Sequence, residues 1–203
     1  MMPAARESLL DAAYTALARR PWSAVRMVDV AAAAGVSRQT LYNEFGSKDG
    51  LARALVRREA DSYLAGVARA LTAHTDPRDR LTATAEWTTA SARENALVRA
   101  MLTGCWSERL PVPALAAVPS GCALPAQRRA DGPLPSPADL VHLVRDRAVA
   151  VLAGPGHTRG DTADLARSCE LVIRLALSCV VAPAPDDEVA ELVRGALHRR
   201  PVP

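Results

Sequence analysis

A pair of short helical segments joined by a glycine turn restricts the fold of this chain more than any other feature of its sequence. Residues 27–34 carry apolar side chains at the spacing of one helix face, and Gly35 follows them as a helix stop. Ser37 is a favourable N-cap residue for a second helix over residues 38–45, which ends at Gly46, and Ser47 can cap the long helix that follows. The sequence therefore predicts a helix-turn-helix unit in this region.

The rest of the chain also has the spacing of helices. Apolar residues at helical positions fill residues 5–19, and no segment is predicted as a strand. Further helices are predicted over residues 48–73, 78–103, 138–152, 162–182 and 186–200. The prolines between residues 111 and 137 predict a loop with one short helical piece at most. The expected fold class is all-α, with an N-terminal three-helix head and a C-terminal helical bundle.

The second helix of the pair has a polar face that suits DNA. At about 100° per residue, Gln39, Thr40 and Asn43 lie opposite the apolar side of this helix. Gln and Asn can pair with adenine, and Thr can contact a thymine methyl group or a phosphate. Arg38, at the helix start, can reach a phosphate or a guanine. The alternative is a solvated polar face on a small helix.

Charge gives a weaker indication in the same direction. Residues 1–60 contain nine Lys and Arg against six Asp and Glu, and the rest of the chain is balanced. Lys48, the only lysine, lies in the first turn of a helix, where a cation opposes the dipole at a cost of about 0.3–1 kcal/mol. Asp49 already satisfies that dipole, so Lys48 is not expected to matter for folding. A DNA phosphate beside Lys48 and the Ser47 hydroxyl would reverse the cost; a surface lysine without a role is the alternative.

Residues 28–51, VDVAAAAGVSRQTLYNEFGSKDGL, resemble the DNA-binding signature of the TetR (tetracycline repressor) family of bacterial transcriptional regulators. The segment RESLLDAAYTALA also fits the first helix of that family. The resemblance implies a homodimer with a helix-turn-helix DNA-binding domain over residues 1–47 and a helical ligand-binding and dimerisation domain over residues 48–203. Such a dimer binds a near-palindromic double-stranded DNA operator and is released from it by a small effector.

The resemblance also implies roles for single residues. Tyr42 and Lys48 correspond to phosphate contacts of the family. The complete set of expected base-reading residues is Arg38, Gln39, Thr40 and Asn43, and the expected phosphate contacts are Arg26, Ser37, Tyr42, Ser47 and Lys48. Two positions depart from the family pattern. Arg26 replaces a Thr or Ser cap, so a phosphate contact without the cap is expected. The anionic Glu44 is expected to point sideways; the alternative is that it accepts from a cytosine amino group.

The C-terminal part offers two further expectations. Residues 171–182 are apolar nearly all round, which suits a dimer helix, with residues 186–199 as its neighbour. The expected interface residues are Leu171, Leu175, Cys179, Val189 and Leu192; a buried core helix in a monomer is the alternative. The expected ligand-pocket residues are Trp87, Met101, Cys105 and Trp106, although core packing alone would use the same side chains. They favour a mostly apolar effector, whose identity is unknown.

Other functions find little support in the sequence. A Gly-rich phosphate loop, a G-x-S-x-G motif and a convincing acid pair are missing, and the cysteines and histidines lack ligand spacing. No enzymatic activity, cofactor or metal site is therefore expected. The apolar runs are too short for a membrane span, and we expect a cytoplasmic protein with reduced thiols. A regulator without a small-molecule ligand and a helical protein-interaction module remain as alternatives.

Overall fold

The computed structural model describes residues 3–111, 134–154, 156 and 158–198. These residues form nine α-helices and no strand, which confirms the all-α prediction for the described part of the chain. The helices are α1 Pro3–Arg19, α2 Met27–Ala33, α3 Arg38–Phe45, α4 Lys48–Ala70, α5 Pro77–Glu94, α6 Ala96–Thr103, α7 Pro137–Leu152, α8 Arg159–Val181 and α9 Asp186–His198. A 3-10 turn, Trp22–Ala24, precedes α2. Most of the predicted proline-rich loop lies outside the described residues.

Serine hydroxyls cap the N-termini of α3 and α4 at the positions predicted from the sequence. The Ser37 hydroxyl accepts the Thr40 N–H at 3.0 Å, and the Ser47 hydroxyl accepts the Gly50 N–H at 3.0 Å. Each contact satisfies an amide that has no partner inside its helix. Gly46 has a φ of 69°, a conformation that a side chain would strain, and it allows α3 to end just before α4 begins.

One predicted helix is two helices in the structure. The sequence predicted a continuous helix over residues 78–103, whereas α5 ends at Glu94 and α6 begins at Ala96. Asn95 lies between them in an extended conformation, and its Oδ1 accepts the N–H groups of Leu97 and Val98 at 3.0 and 3.3 Å. The Asn side chain thus offers the backbone an alternative to the helical hydrogen bonds, which explains the break.

The chain divides into two compact units. The first unit contains Met1–Glu59 and Trp106–Leu134, and the second contains Ala60–Cys105 and Pro135–Pro203. Helix α4 therefore contributes its first half to the first unit and its second half to the second. The sequence analysis had assigned the whole of α4 to the C-terminal domain.

In the first unit, α1 packs against α2 and α2 packs against α3. Leu9 of α1 and Leu41 of α3 are fully buried, and Val30 of α2 is nearly so. Arg58, in the first half of α4, donates to the carboxylate of Asp11 of α1 at 2.6 Å. This ion pair joins α4 to α1, and apolar burial holds the short helices α2 and α3, which could not persist as isolated peptides.

In the second unit, α5 packs against α8 and α9, and α8 packs against α7. Trp87 of α5 lies against the second half of α4, where its Nε1 donates to the carbonyl of Tyr63 at 3.1 Å. The Tyr63 hydroxyl contacts the Thr88 hydroxyl at 3.1 Å, and burial raises the pKa of Tyr63 to about 12. The Trp87 ring can come this close because Gly66 has no side chain: a Cβ there would lie 2.0 Å from ring carbons.

Replacement of Gly66 by Ala should therefore destabilise the protein despite the better helix propensity of Ala. The displaced indole ring should lower the free energy of unfolding by about 1–3 kcal/mol, measured by urea denaturation. Gly160→Ala is the matched control, because a Cβ there meets only the Thr158 hydroxyl oxygen at 3.6 Å. Equal stabilities for the two variants would contradict the role given to Gly66.

Candidate nucleic-acid interface

Helix α3 presents one buried face and one exposed face. Leu41 and Phe45 are 0% and 6% exposed, so they anchor the helix to the first unit. The exposed residues on the other side are Arg38, Gln39, Tyr42 and Asn43, with Thr40 partly exposed. The rotation inferred from the sequence is therefore the one that the helix adopts. The structure places the expected base-reading side chains together on a single short surface.

The polar side chains of this surface are already ordered by one another. Gln39 Nε2 donates to Asn43 Oδ1 at 2.8 Å, one helical turn away. The hydroxyl oxygens of Ser37 and Thr40 lie 2.8 Å apart. Such contacts reduce the side-chain freedom that a binding partner would have to restrict. The face is thus partly organised before anything binds to it.

Arg26 begins α2 without capping it. No side-chain hydrogen bond caps the helix there; instead the guanidinium donates to Asp29 through Nε at 3.1 Å and through a terminal nitrogen at 3.1 Å. Arg20 also donates to the same carboxylate, at 3.1 Å. The hydrogen bond from Arg26 is the main cause that holds the pKa of Asp29 below its ordinary value. The missing cap agrees with the sequence analysis, and the phosphate contact of Arg26 remains a prediction.

Glu44 points sideways, as the sequence analysis expected. Its side chain is only 10% exposed, and a carboxylate oxygen lies 3.6 Å from the guanidinium of Arg6 in α1. The same guanidinium lies over the ring of Phe45, 4.8 Å from its centroid. The negative charge of α3 is therefore compensated within the protein, which lowers its repulsion of a nearby phosphate.

Lys48 has contacts that the sequence analysis missed. Its Nζ donates to the carbonyl of Ser23 at 3.1 Å and lies 5.5 Å from the centroid of the Trp22 ring. Burial lowers the pKa of Lys48, and the charge of Asp49 partly offsets this effect. The side chain thus links the start of α4 to the 3-10 turn before α2, and a contribution of Lys48 to folding becomes a prediction.

That turn also receives a contact from far along the chain. Trp22 is 8% exposed, and its backbone N–H donates to the carbonyl of Arg109 at 2.8 Å. Residues 106–111 thus form part of the first unit, although five helices separate them from the turn when α2 to α6 are counted. The only signal in the sequence was a large aromatic residue placed between helices, which does not reveal its partner.

The expected interface residues of the second unit fall into two groups. Leu171 and Leu192 are 37% and 42% exposed, and with Leu175 they line an open groove along α8 and α9. Cys179 and Val189 are 7% and 1% exposed, so their side chains lie inside the unit. The side chains of α8 differ in burial because the helix packs against α5 and α7 on the sides that do not line this groove. An apolar strip remains at the surface.

The expected pocket residues are divided between the two units. Trp87 packs over Gly66, and Met101 is buried in α6. Cys105 is exposed, and its N–H donates to the Thr103 hydroxyl at 3.2 Å. Trp106 is partly buried in the first unit. The surroundings of Trp87 and Met101 are explained by packing without a ligand.

Two further properties concern the described residues only. None of their helices combines the length and apolar character needed to cross a membrane. They also bring together no group of three or more His, Cys, Asp or Glu side chains that could hold a metal ion.

A helix-turn-helix whose second helix is anchored by apolar residues and exposes Arg, Gln and Asn is the arrangement of a DNA-binding domain. Residues 9–55 match the family model for bacterial regulatory proteins of the tetR family. Over these residues the chain is similar to the proteins of that family.

Curated relatives are similar to this chain over part of its length. The HTH-type transcriptional regulator AlkX of Mycobacterium tuberculosis is 51% identical over 69 residues, which are 34% of this chain and 33% of that protein. The HTH-type transcriptional activator FasR of Mycolicibacterium smegmatis is 41% identical over 81 residues, which are 40% of this chain and 37% of that protein. The chain thus spans about a third of the length of the curated relatives it matches.

A solved structure has the same fold over most of the chain. It is the TetR family repressor AlkX from Dietzia sp. strain DQ12-45-1b, with a TM-score of 0.56 and 23% identity, and the match covers 95% of each chain. At this identity the likeness supports the helical architecture, including that of the second unit.

The contacts of Lys48 lead to a testable consequence for stability. Replacing Lys48 by Met keeps much of the aliphatic length and removes the charge, the hydrogen bond to Ser23 and the interaction with Trp22. The free energy of unfolding should fall by about 1 kcal/mol, measured by thermal or urea denaturation. Arg38→Met, at an exposed cation of α3, should change it by less than half as much. A Lys48 variant as stable as the unchanged protein would refute this structural role.

Proposed function

We propose that the protein is a dimeric transcriptional regulator that binds a near-palindromic double-stranded DNA operator through α3. The observation that carries this proposal is the exposed face of α3, where Gln39 is hydrogen-bonded to Asn43 and Thr40 is hydrogen-bonded to Ser37. Amide and hydroxyl groups of this kind suit the edges of bases in the major groove. The match of residues 9–55 to the tetR family model supports the same function.

The surroundings of α3 support phosphate contacts on both of its sides. Tyr42 is 47% exposed, and the hydroxyls of Ser37 and Ser47 lie at helix starts, where backbone dipoles favour anions. Lys48 does not have to leave Ser23 to take part. An ammonium group has three N–H bonds, so the contact with Ser23 leaves others for a phosphate oxygen.

Arg26 would contact phosphate through a guanidinium that already binds Asp29. Guanidinium has five N–H bonds, of which Asp29 uses two. With 72% of its side chain exposed, Arg26 has the access that a phosphate contact needs. The Asp29 carboxylate then positions the guanidinium, while Arg20 supplies a second positive charge to balance it.

The groove along α8 and α9 supports dimerisation. Leu171, Leu175 and Leu192 form an apolar strip on adjacent helices, a feature that commonly marks a protein–protein contact. A second copy of the chain, related by a two-fold axis, would cover the strip with the same strip. Two-fold symmetry also explains why the operator should be a near-palindrome.

The effector is a separate part of the proposal. A small, mostly apolar effector that releases the protein from DNA follows from the family resemblance, and Trp87, Met101, Cys105 and Trp106 remain its expected contacts. A regulator without a small-molecule ligand is the alternative. Repression is the expected direction of control, and the relative named as a transcriptional activator keeps the opposite direction open.

DNA binding can be tested with fluorescently labelled duplexes and with selection of bound sites from a random pool. The unchanged protein should bind random duplex DNA at low salt, and the affinity should fall steeply as salt is added. Lys48→Ala should weaken binding to all sequences about equally. Asn43→Ala should instead relax the preference at particular base pairs, by about 1–3 kcal/mol.

Arg99→Ala, at an exposed cation of α6, is the control for loss of positive charge outside the interface and should change neither property. Absence of binding to any duplex at low salt would reject the function proposed here. It would favour a helical protein-interaction module, the competing interpretation of the same fold.

Dimerisation can be tested by placing a charge on the apolar strip. Leu192→Glu adds a third carboxylate beside Glu188 and Glu191, so it should convert the dimer to a monomer in sedimentation velocity at micromolar concentration. Leu143→Glu on α7 is the matched control, because Leu143 has a similar exposure of 38%. It should leave the dimer intact. This interface would be ruled out if the protein without any substitution were already a monomer. It would also be ruled out if only the control variant, Leu143→Glu, dissociated.

A further inference from the structure

Two residues of the 3-10 turn before α2 hold the side chain of Lys48. Lys48 Nζ donates to the Ser23 carbonyl at 3.1 Å, and it lies 5.5 Å from the centroid of the Trp22 ring. The face of an indole ring carries negative electrostatic potential, so it attracts an ammonium group. One contact fixes the direction of an N–H bond and the other restricts the position of the nitrogen. The side chain is therefore ordered before any ligand binds.

The Trp22 ring is a firm support for this ammonium group. Only 8% of the residue is exposed. Its backbone N–H donates to the Arg109 carbonyl at 2.8 Å, and its carbonyl accepts the Val25 N–H at 3.0 Å. Because the ring is packed and both backbone polar groups have partners, the indole cannot move aside with the lysine side chain.

This order matters for the affinity of a phosphate contact. A free lysine side chain has many rotamers, and binding an anion restricts them at a cost in entropy. Trp22 and Ser23 already restrict the rotamers of Lys48 in the free protein. The ammonium group has three N–H bonds, of which the Ser23 carbonyl takes one. A phosphate oxygen can therefore accept another without pulling the side chain away from the ring.

We propose that Trp22 is a positioning residue for DNA binding, which acts through Lys48 and raises the affinity for duplexes of every sequence. The buried ring needs no contact with DNA, because its effect passes through the ammonium group. Phosphate contacts carry no base preference, so the contribution of Trp22 carries none. This inference rests on the proposed DNA binding and assigns a role in it to a residue outside α3.

The position of Lys48 can be measured without DNA, because it is the only lysine of the chain. Protein that is isotope-labelled only in lysine gives a single set of lysine signals in nuclear magnetic resonance. Protons above an aromatic ring are shielded, so the Hε signals should lie upfield of those of a free lysine. The displacement should disappear in Trp22→Leu and remain in part in Trp22→Phe. Hε signals at free-lysine positions in the unchanged protein would overturn the inference.

The affinity for a random duplex at low salt is the second measurement. Trp22→Leu should weaken binding by roughly two- to tenfold, the cost of ordering one long side chain, without changing the selected sites. Trp22→Phe should recover part of this loss, because phenylalanine keeps an aromatic face. Tyr14→Leu is the matched control, because the Tyr14 ring lies 5.8 Å from the guanidinium carbon of Arg58. It removes a ring beside a cation that is not proposed to contact DNA, so it should leave the affinity unchanged.

The same substitution in a Lys48→Met protein separates positioning from a general loss of structure. If Trp22 acts through the ammonium group, Trp22→Leu should cause no further loss of affinity once that group is gone. An equal loss with and without Lys48 would show that the ring only supports the fold, and the inference would be overturned. A changed base preference in Trp22→Leu would contradict it as well.

These outcomes are distinct from failure of the proposed function. That failure would appear as no binding of the unchanged protein to any duplex, and it would overturn both proposals. Duplex binding that is the same for the unchanged protein and Trp22→Leu would leave DNA recognition standing and would reject the role of Trp22.

Discussion

Burial of Leu41 and Phe45 fixes the rotation of α3 about its own axis, and the composition of its exposed face depends on that rotation. An eight-residue helix gains little from its own hydrogen bonds, because helix nucleation is costly. Its direction is set instead by the two apolar side chains, by the cap at Ser37 and by the glycine that ends it. A turn of the helix by one residue would bury amides and expose Leu41.

Charge is arranged around α3 so that acidic residues near it are neutralised. Glu44 is paired with Arg6 on the side of α1, and Asp29 is shared by Arg20 and Arg26 at the start of α2. Arg38 and the ammonium group of Lys48 then contribute positive charge near the exposed face. For exposed pairs the gain in stability is small. These ion pairs matter more for the local electrostatic potential, which governs the approach of an anion, than for stability.

Local features of the fold could be predicted from the sequence, and distant contacts could not. Helical spacing, the caps at Ser37 and Ser47 and the inward face of α3 depend on residues within one or two turns of each other. Asn95 interrupts a predicted helix because its side chain accepts backbone N–H groups in place of helical carbonyls. The spacing of apolar residues carries no information about this competition. The contact between Lys48 and Ser23 joins a helix start to a turn before α2, so no short pattern could indicate it.

The contact between Trp22 and Arg109 has a consequence for the order in which the first unit is completed. The three N-terminal helices leave the ribosome well before Arg109 is synthesised, and the Trp22 N–H must wait for the carbonyl that accepts it. Because closure of a long loop is slow and entropically costly, this contact forms late. During translation, the turn that contacts Lys48 therefore passes through a period in which it lacks the hydrogen bond from Trp22 to the Arg109 carbonyl.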